Sequence, residues 1–421
     1  MKLLLKSALI IDSTSSWHMQ KKDILLEKGK ITEVSDALDA DAATTIFEAA
    51  SLCIAPSFID LNTSVFEPGL EYREDFQSIL KAAEKAGYGA LCMLPNTKPI
   101  IEGKSQVEYV HSASKNSLSK LLPLGALSHH LEGKDLSEIY DMHTSGALAF
   151  TDAYHPIWNE GLMERALLYV KKFKGLVYSF PQSINLSARG QMNEGVNSTI
   201  LGLEGLSNLS EDIIVARDLF LLEHTDSRLH FMSISSAKSV QMIREAKAKG
   251  LKVSASVNVA NLYFTDKSLL SYDTNFKIQA PLRTEEDRIA LLQGLQDGTI
   301  DAISSGHLPL HEDEKKVEFE NAEFGMSTID CVFSAAFAAT KSYLSVEALV
   351  SKFTAAYKIL GLESSRIKLG QEADFTIFST DAKYVFEKSN ILSKGKNNPF
   401  ELEEFEARTF GLIKGSKTNI L

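Results

Sequence analysis

Two hydrophobic periodicities alternate along the middle of the chain. Apolar residues recur at helical spacing over 74–86, 160–173, 211–224, 236–249 and 284–297. Short apolar runs lie between these segments, at 90–94, 146–150, 175–180, 229–234, 251–257 and 300–305. Such runs are typical of buried parallel strands. The alternation extends over roughly 300 residues and predicts a (β/α)8 TIM barrel, with a doubly wound sheet as the alternative.

The two ends of the chain have a different pattern. Residues 1–55 and 362–421 contain short strand-like runs separated by turn residues, such as LLLKSALIID and TFGLIKGSKTNIL. We therefore predict that both ends form one small β-sandwich domain, beside a barrel domain of residues 56–361. The segment 388–399 is rich in Lys, Asn, Ser and Gly, and this composition predicts a mobile loop.

Composition narrows the functional class. The chain has 44% hydrophobic residues and a net charge of −11, which argues against nucleic-acid or anionic-membrane partners. The cysteines Cys53, Cys92 and Cys331 are scattered, as expected for reduced thiols in a cytoplasmic protein. The apolar start of the chain is interrupted by Lys6 and ends at Asp12, so we interpret it as a first strand rather than a signal peptide.

Several sequence motifs carry a resemblance to one enzyme family. They are APSFIDLNTSVFEPG at 55–69, MLPNTKP at 93–99, GQMNEG at 190–195, APLRTEEDR at 280–288 and DGTIDAI at 297–303. Over nearly the whole chain they resemble the dihydroorotases of the amidohydrolase superfamily. The resemblance implies an amidohydrolase-type TIM barrel, a β-sandwich built from both termini, and a place in pyrimidine biosynthesis. For active members of the family it also implies zinc.

The same resemblance locates the metal-site positions of the family, and their usual side chains are missing here. In the family these are two histidines after the first barrel strand, a metal-bridging acid, two further histidines and a catalytic aspartate. In chain order the positions hold Asn62, Ser64, Ala153, Phe180, Ser233 and Gly306. Amides, hydroxyls and apolar side chains are poor zinc ligands. We therefore predict no bound metal, no cofactor and no catalytic residues at these positions.

The substrate-binding positions are also altered. Phe66 replaces the arginine that meets the substrate carboxylate in the family, and Gln279 replaces an asparagine, whereas Asn96 and His307 match. Asn96, Gln279 and His307 are thus candidate remnants of a substrate site. For His307 a packing or hydrogen-bonded role is the favoured interpretation. We further predict that Phe66 and Phe180 fill space where substrate and metal would otherwise lie.

These substitutions predict a catalytically silent dihydroorotase-like protein that acts as a structural or regulatory subunit. Inactive dihydroorotase-like chains are known to scaffold aspartate carbamoyltransferase, so the resemblance implies that partner, with a homo-oligomer as the alternative assembly. Two other functions stay open. One is an active dihydroorotase, or a related cyclic amidohydrolase, with a relocated site. The other is a small-molecule sensor that retains a remodelled pocket.

Overall fold

The computed structural model describes residues 2–187 and 189–420. Within them the strands are β1 (Lys2–Ile10), β2 (Lys21–Glu27), β3 (Lys30–Ser35), β4 (Thr45–Phe47), β5 (Leu52–Pro56), β6 (Phe58–Thr63), β7 (Tyr88–Met93), β8 (Lys120–Pro123), β9 (Val177–Ser179), β10 (Met192–Asn193), β11 (Gly205–Leu206), β12 (Leu229–Phe231), β13 (Val253–Asn258), β14 (Ala302–Ser304), β15 (Asp374–Ser379), β16 (Tyr384–Val385), β17 (Glu404–Phe405), β18 (Arg408–Lys414) and β19 (Lys417–Thr418).

The helices of the same residues are α1 (Phe76–Lys85), α2 (Lys104–Ala113), α3 (Ile139–Thr144), α4 (Glu160–Lys171), α5 (Ile184–Ser187), α6 (Val196–Leu201), α7 (Leu209–Thr225), α8 (Ala237–Ala248), α9 (Val259–Tyr263), α10 (Glu285–Gln296), α11 (Val332–Thr340) and α12 (Val346–Leu360). The five helical periodicities in the sequence correspond to α1, α4, α7, α8 and α10. In α1, the buried stripe includes Phe76, Ile79, Leu80 and Ala83, as the 3.6-residue spacing predicts.

The centre of the molecule is a closed parallel barrel. One sheet runs β6-β7-β8 and a second runs β9-β12-β13-β14. Phe150 bridges Gly125 on one side and Val177 on the other, and Thr63 bridges His307, so the two sheets join into a ring. The TIM-barrel prediction is confirmed, and the doubly wound alternative is wrong because an open sheet would leave edges here.

The fourth strand position differs from the prediction. The apolar run 146–150 contributes only the bridge at Phe150, although the sequence predicts a full strand. Ala147 N still donates to Met142 O in the turn that follows α3. The segment 146–150 therefore pairs with the neighbouring barrel strands only near Phe150.

Strands from both ends of the chain form one sheet beside the barrel. Its order is β19-β18-β15-β5-β1-β2-β3, and β4 pairs with β1. The antiparallel pairing of β15 with β5 joins the C-terminal segment to the N-terminal one. This arrangement agrees with a terminal domain built from both ends, while the boundaries of 1–55, 56–361 and 362–421 stay a prediction.

The prediction of a mobile segment at 388–399 is wrong. Ser393, Asn397 and Asn398 are buried. Ser393 Oγ donates to the carboxylate of Glu74, and Asn397 Oδ1 accepts from Leu310 N at 3.0 Å. The polar composition that suggested mobility instead supplies hydrogen bonds to the barrel.

Over residues 2–187 and 189–420, no helix combines the length and the apolar character that crossing a bilayer requires.

Candidate functional site

The site positions lie where the barrel strands end. Asn62 is near the end of β6, Ser233 follows β12, Asn258 ends β13 and Ser304 ends β14. In a TIM barrel these carboxyl ends form the face that carries catalytic groups. Each of the four side chains is buried. Their chemistry is therefore determined by what they contact inside the protein.

These side chains hydrogen-bond to one another. Asn62 Nδ2 donates to Ser233 Oγ at 2.8 Å, and Ser233 Oγ donates to Asn258 Oδ1 at 3.0 Å. Ser304 Oγ also donates to Asn258 Oδ1 at 3.0 Å, and the Tyr154 hydroxyl donates to Asn62 Oδ1 at 3.1 Å. We call these five residues the mouth network. It consists of neutral amides and hydroxyls that satisfy each other at the centre of the barrel mouth.

The backbone around this network is unusual at three of the substituted positions. Ala153, Ser233 and Gly306 have φ values of +54°, +59° and +62°, which lie in the left-handed region. A Cβ atom at Gly306 would lie 2.5 Å from Asn258 Cγ. The aspartate that occupies this position in the family would therefore collide with the amide in the mouth network. The glycine and Asn258 fit each other as a pair.

Two aromatic rings close the mouth. Phe66 and Phe180 are both buried, so the predicted burial of these rings is confirmed. Phe180 contacts Tyr154 edge-on, with ring centroids 5.2 Å apart, and Phe66 packs with Leu308 and Leu310. The Arg73 guanidinium lies 5.0 Å from the centroid of the Phe66 ring.

Little space is left between these groups. Two cavities lie at the mouth, one bounded by Phe180, Ser233 and Gln279 and the other by Asn258, Gln279 and Gly306. Each is about 10 Å³ in the volume open to the centre of a water molecule. That volume corresponds to about one water, so neither cavity admits a small-molecule substrate in this conformation.

His307 is engaged in a buried polar cluster. Its Nδ1 accepts hydrogen bonds from Thr328 N at 3.1 Å and from Ile329 N at 3.4 Å. The proton of the neutral imidazole therefore resides on Nε2. That nitrogen lies 3.5 Å from the Glu74 carboxylate without hydrogen-bond geometry, and both side chains are fully buried. These contacts agree with a hydrogen-bonded role rather than a ligand role.

Asn96 and Gln279, the other two candidate remnants, flank the mouth. Asn96 Nδ2 donates to Ser64 Oγ at 3.0 Å, so two predicted positions are brought together. Among the described residues, Asn96 Oδ1 is buried and has no hydrogen-bond partner. Gln279 is partly buried and borders both small cavities. A substrate role for either residue stays a prediction.

Asp152 is the carboxylate nearest to the substituted positions in sequence. Its Oδ1 accepts from Leu127 N at 2.9 Å and from Ser128 N at 2.8 Å, and its Oδ2 accepts from the Ser128 hydroxyl. Burial raises the pKa of Asp152 to about 6, and the hydrogen bonds from Ser128 and Leu127 oppose this shift. The carboxylate is therefore held by residues 127–128, in the loop after β8.

The donor set at the mouth does not fit zinc. Zinc sites in proteins use imidazole, thiolate and carboxylate ligands, whereas Asn62, Ser64, Ser233 and Asn258 offer amides and hydroxyls. Over residues 2–187 and 189–420, no three side chains of His, Cys, Asp or Glu converge into a group that could hold a metal ion. The described residues at the mouth therefore do not supply the ligand types that zinc uses in proteins.

A second polar network beside the mouth was missed by sequence reasoning. Arg283 Nη1 donates to Leu206 O at 2.7 Å and to Asn193 Oδ1 at 3.1 Å, and Nη2 lies 3.8 Å from Glu211 Oε2. Glu211 accepts from Ser235 N at 3.1 Å. Burial raises the pKa of Glu211, and the charge of Arg283 opposes that rise. Both Asn193 and Arg283 belong to motifs that carry the family resemblance. Those motifs were the sequence signal that could have identified this network.

Comparisons with known proteins agree with this architecture. The family model described as Dihydro-orotase-like matches residues 52–239. The dihydroorotase of Thermoanaerobacter sp. (strain X514) is 37% identical over 404 residues, covering 95% of this chain and 93% of that protein. The dihydroorotase of Geobacter metallireducens is 36% identical over 420 residues and 99% of both chains.

The chain belongs to the dihydroorotase-like family. Among solved structures, the L-hydantoinase (dihydropyrimidinase) of Arthrobacter aurescens matches with a TM-score of 0.84 and 19% identity, covering 100% of this chain and 97% of that one. A D-hydantoinase of Thermus sp. matches with a TM-score of 0.81, 19% identity and coverage of 99% and 95%. At this identity the structures show a shared fold, which confirms the amidohydrolase-type barrel for this dihydroorotase-like chain.

Proposed function

We propose that this dihydroorotase-like protein is catalytically silent and acts in pyrimidine biosynthesis as a structural or regulatory subunit. The mouth network carries the proposal, because it occupies the centre of the catalytic face with neutral groups that are already hydrogen-bonded to each other. Phe66 and Phe180 cover it from the side. A substrate would have to displace packed aromatic rings and break buried hydrogen bonds before any chemistry began.

Tyr154 and Asp152, two ionisable residues described near the mouth, are poorly suited to cyclic-amide hydrolysis. Attack of water on an amide requires a general base with a suitable pKa, or a metal that acidifies the water. Burial raises the pKa of Tyr154 well above its usual value, so its hydroxyl stays protonated near neutrality. The pKa of Asp152 is about 6, but three hydrogen bonds from Leu127 and Ser128 fix its carboxylate against the loop after β8.

The names of the relatives favour a second candidate, an active dihydroorotase or related cyclic amidohydrolase. Proteins called dihydroorotase share 34–37% identity with this chain over 95–99% of its length. Activity in this chain would require a relocated site and an opening of the mouth. The closed geometry around Asn62 supports the silent form.

An assay of dihydroorotate hydrolysis separates the two candidates. The purified chain is tested with and without added zinc, and the Geobacter metallireducens relative serves as the positive control. We expect turnover by this chain to stay at the uncatalysed level in both conditions. Zinc-dependent or zinc-independent turnover above that level would establish the second candidate.

As a scaffold, the chain requires a partner, and we propose aspartate carbamoyltransferase or a second copy of the chain. Large apolar side chains are exposed along α6 and α7, among them Val196, Ile200 and Phe220, with Val196 75% exposed. A stable assembly would bury more than about 1,000 Å² in total. These residues could contribute the apolar part of such an interface.

Light scattering on the purified chain, alone and mixed with aspartate carbamoyltransferase from the same organism, tests the assembly. We expect a homo-oligomer or a mixed complex of defined mass. A strictly monomeric chain that ignores this partner would contradict the scaffold role. Binding of a small molecule by such a monomer would instead support the sensor function.

A further inference from the structure

A groove lies on the face of the barrel opposite the mouth. It runs between α1, the loop of residues 114–119 and the edge strand β19, and its volume is about 530 Å³. α1 ends just before β7 begins, and the loop immediately precedes β8. The groove is therefore at the amino ends of the barrel strands. It is distinct from the site that the family resemblance identifies.

Lysines surround this groove on several elements. Lys81 of α1 and Lys417 of β19 line it, and Lys115 is exposed on the intervening loop. Lys120 is near Lys414 and Lys417, and Lys414 Nζ lies 3.5 Å from the Asp374 carboxylate. The charges thus come from segments that are distant in sequence and that the fold brings together. Glu84 is the carboxylate in the lining, and it accepts a hydrogen bond from Leu118 N at 3.0 Å.

Carbonyl oxygens hold two of the ammonium groups at the groove. Lys417 Nζ donates to Asn116 O at 3.1 Å. Lys120 Nζ donates to the carbonyl oxygens of Ser114, Lys115 and Ser117 at 2.9, 2.8 and 3.1 Å. These hydrogen bonds satisfy the ammonium without neutralising its charge. Burial lowers the pKa of Lys120, and the charges of Lys414 and Lys417 lower it further. The charge of Glu84 opposes that lowering.

The adjoining edge strand offers backbone as well as charge. In the described residues β19 ends the order of the terminal sheet, so only one of its edges is paired. An extended polypeptide can add to such an edge through main-chain hydrogen bonds. A lysine on an edge strand also discourages aggregation, but that explanation does not account for Lys81 and Lys120, which are on other elements.

We propose that this groove binds a carboxylate-rich segment of a protein partner. The chain as a whole carries a net charge of −11, so a concentration of lysines here would steer an acidic segment to this face. The proposal rests on the proposed function in that a scaffold needs a docking surface, and it places that surface away from the mouth. A free phosphate would use the lysines alone and would gain nothing from the strand edge.

Binding of a fluorescein-labelled hexaglutamate peptide to the full-length chain, followed by fluorescence anisotropy, provides the test. We expect saturable binding at about 0.05 M salt that weakens strongly at about 0.5 M, where charges are screened over only a few ångströms. The variant Lys81→Ala/Lys417→Ala should bind the peptide roughly tenfold more weakly. The control Lys238→Ala/Lys358→Ala changes the net charge equally at exposed helical positions elsewhere.

Equal binding by the wild-type chain and both double variants, or no binding by the wild type, would overturn the proposal. Complete displacement of the peptide by millimolar inorganic phosphate would overturn the polypeptide assignment and indicate a small-anion site. Circular dichroism of each variant verifies folding. Dihydroorotase activity in the wild-type chain would refute the proposed silent function while leaving the peptide result intact, so the two failures are distinguishable.

Discussion

The mouth network and the Arg283 network lie side by side, yet they relate to the family in opposite ways. Arg283 and Asn193 match family motifs and form buried, partly charged contacts that hold β11, α7 and the loop after β12 together. Asn62, Ser233 and Gly306 differ from the family and form a neutral, closed centre. The matching residues Arg283 and Asn193 thus make contacts that maintain the fold.

Removing the charge from the Arg283 network should have the largest effect. Arg283→Ala leaves the buried Glu211 carboxylate without its cation, and breaking such a pair costs about 4 kcal/mol of unfolding free energy. Urea denaturation measures the loss. Arg244→Ala is the control, because its pair with Asp297 is exposed and should cost only about 0.5 kcal/mol. Equal losses in the two variants would remove the distinction between the networks.

Removing the Phe180 ring from the mouth should have the next largest effect on the unfolding free energy. Phe180→Ala creates a cavity beside Tyr154 and should lower the unfolding free energy by about 3 kcal/mol. Tyr169→Phe, a change at a partly exposed ring on α4, serves as a control and should be nearly neutral. An unchanged stability of Phe180→Ala would mean that the ring does not fill the mouth in solution.

The buried carboxyl group of Asp152 should make the stability of the protein depend on pH. Burial raises its folded pKa to about 6, above the value of about 3.9 in an unfolded chain. The folded state therefore holds the proton more tightly, and the stability from this group falls as pH rises from about 4 to about 6. The unfolding free energy of Asp152→Asn minus that of the wild type should therefore rise by on the order of 2 kcal/mol from pH 4 to pH 7. Parallel stability curves for both proteins would contradict this.

A single hydrogen bond of the mouth network gives the smallest expected change. Tyr154→Phe removes the donor to Asn62 Oδ1 and leaves that oxygen buried without its partner. The expected loss is about 1 kcal/mol, measured by the same urea denaturation. A gain in stability would indicate that the Tyr154 hydroxyl destabilises the folded protein and would contradict its role in the mouth network.

Much of the fold follows from the sequence because burial imposes periodicity. The helical spacing identified α1, α4, α7, α8 and α10, and the apolar runs located most barrel strands. The full strand predicted at 146–150 is an exception. The turn after α3 extends to Ala147, so only the end of the segment near Phe150 pairs with its neighbours. Segment 388–399 was another, because its partners Glu74 and Leu310 are distant in sequence.

For the site, sequence comparison with the family identified the altered positions but not what replaced them. Asn62 and Ser233 lie at the mouth as expected, but their hydrogen bonds to each other join residues 171 positions apart. The fit between Gly306 and Asn258 depends on the left-handed backbone of Gly306 and on a contact between residues that are distant in sequence. Pairings of this type arise from the closed barrel and leave no local pattern.

The most direct test of the central claim is the zinc content of the purified chain, measured by elemental analysis after incubation with zinc and gel filtration. Asn62, Ser64, Ser233 and Asn258 offer no imidazole, thiolate or carboxylate, so we expect far less than one zinc per chain. Near-stoichiometric zinc that is lost in the variants Asn62→Ala and Ser233→Ala would place a metal at the mouth and contradict the account.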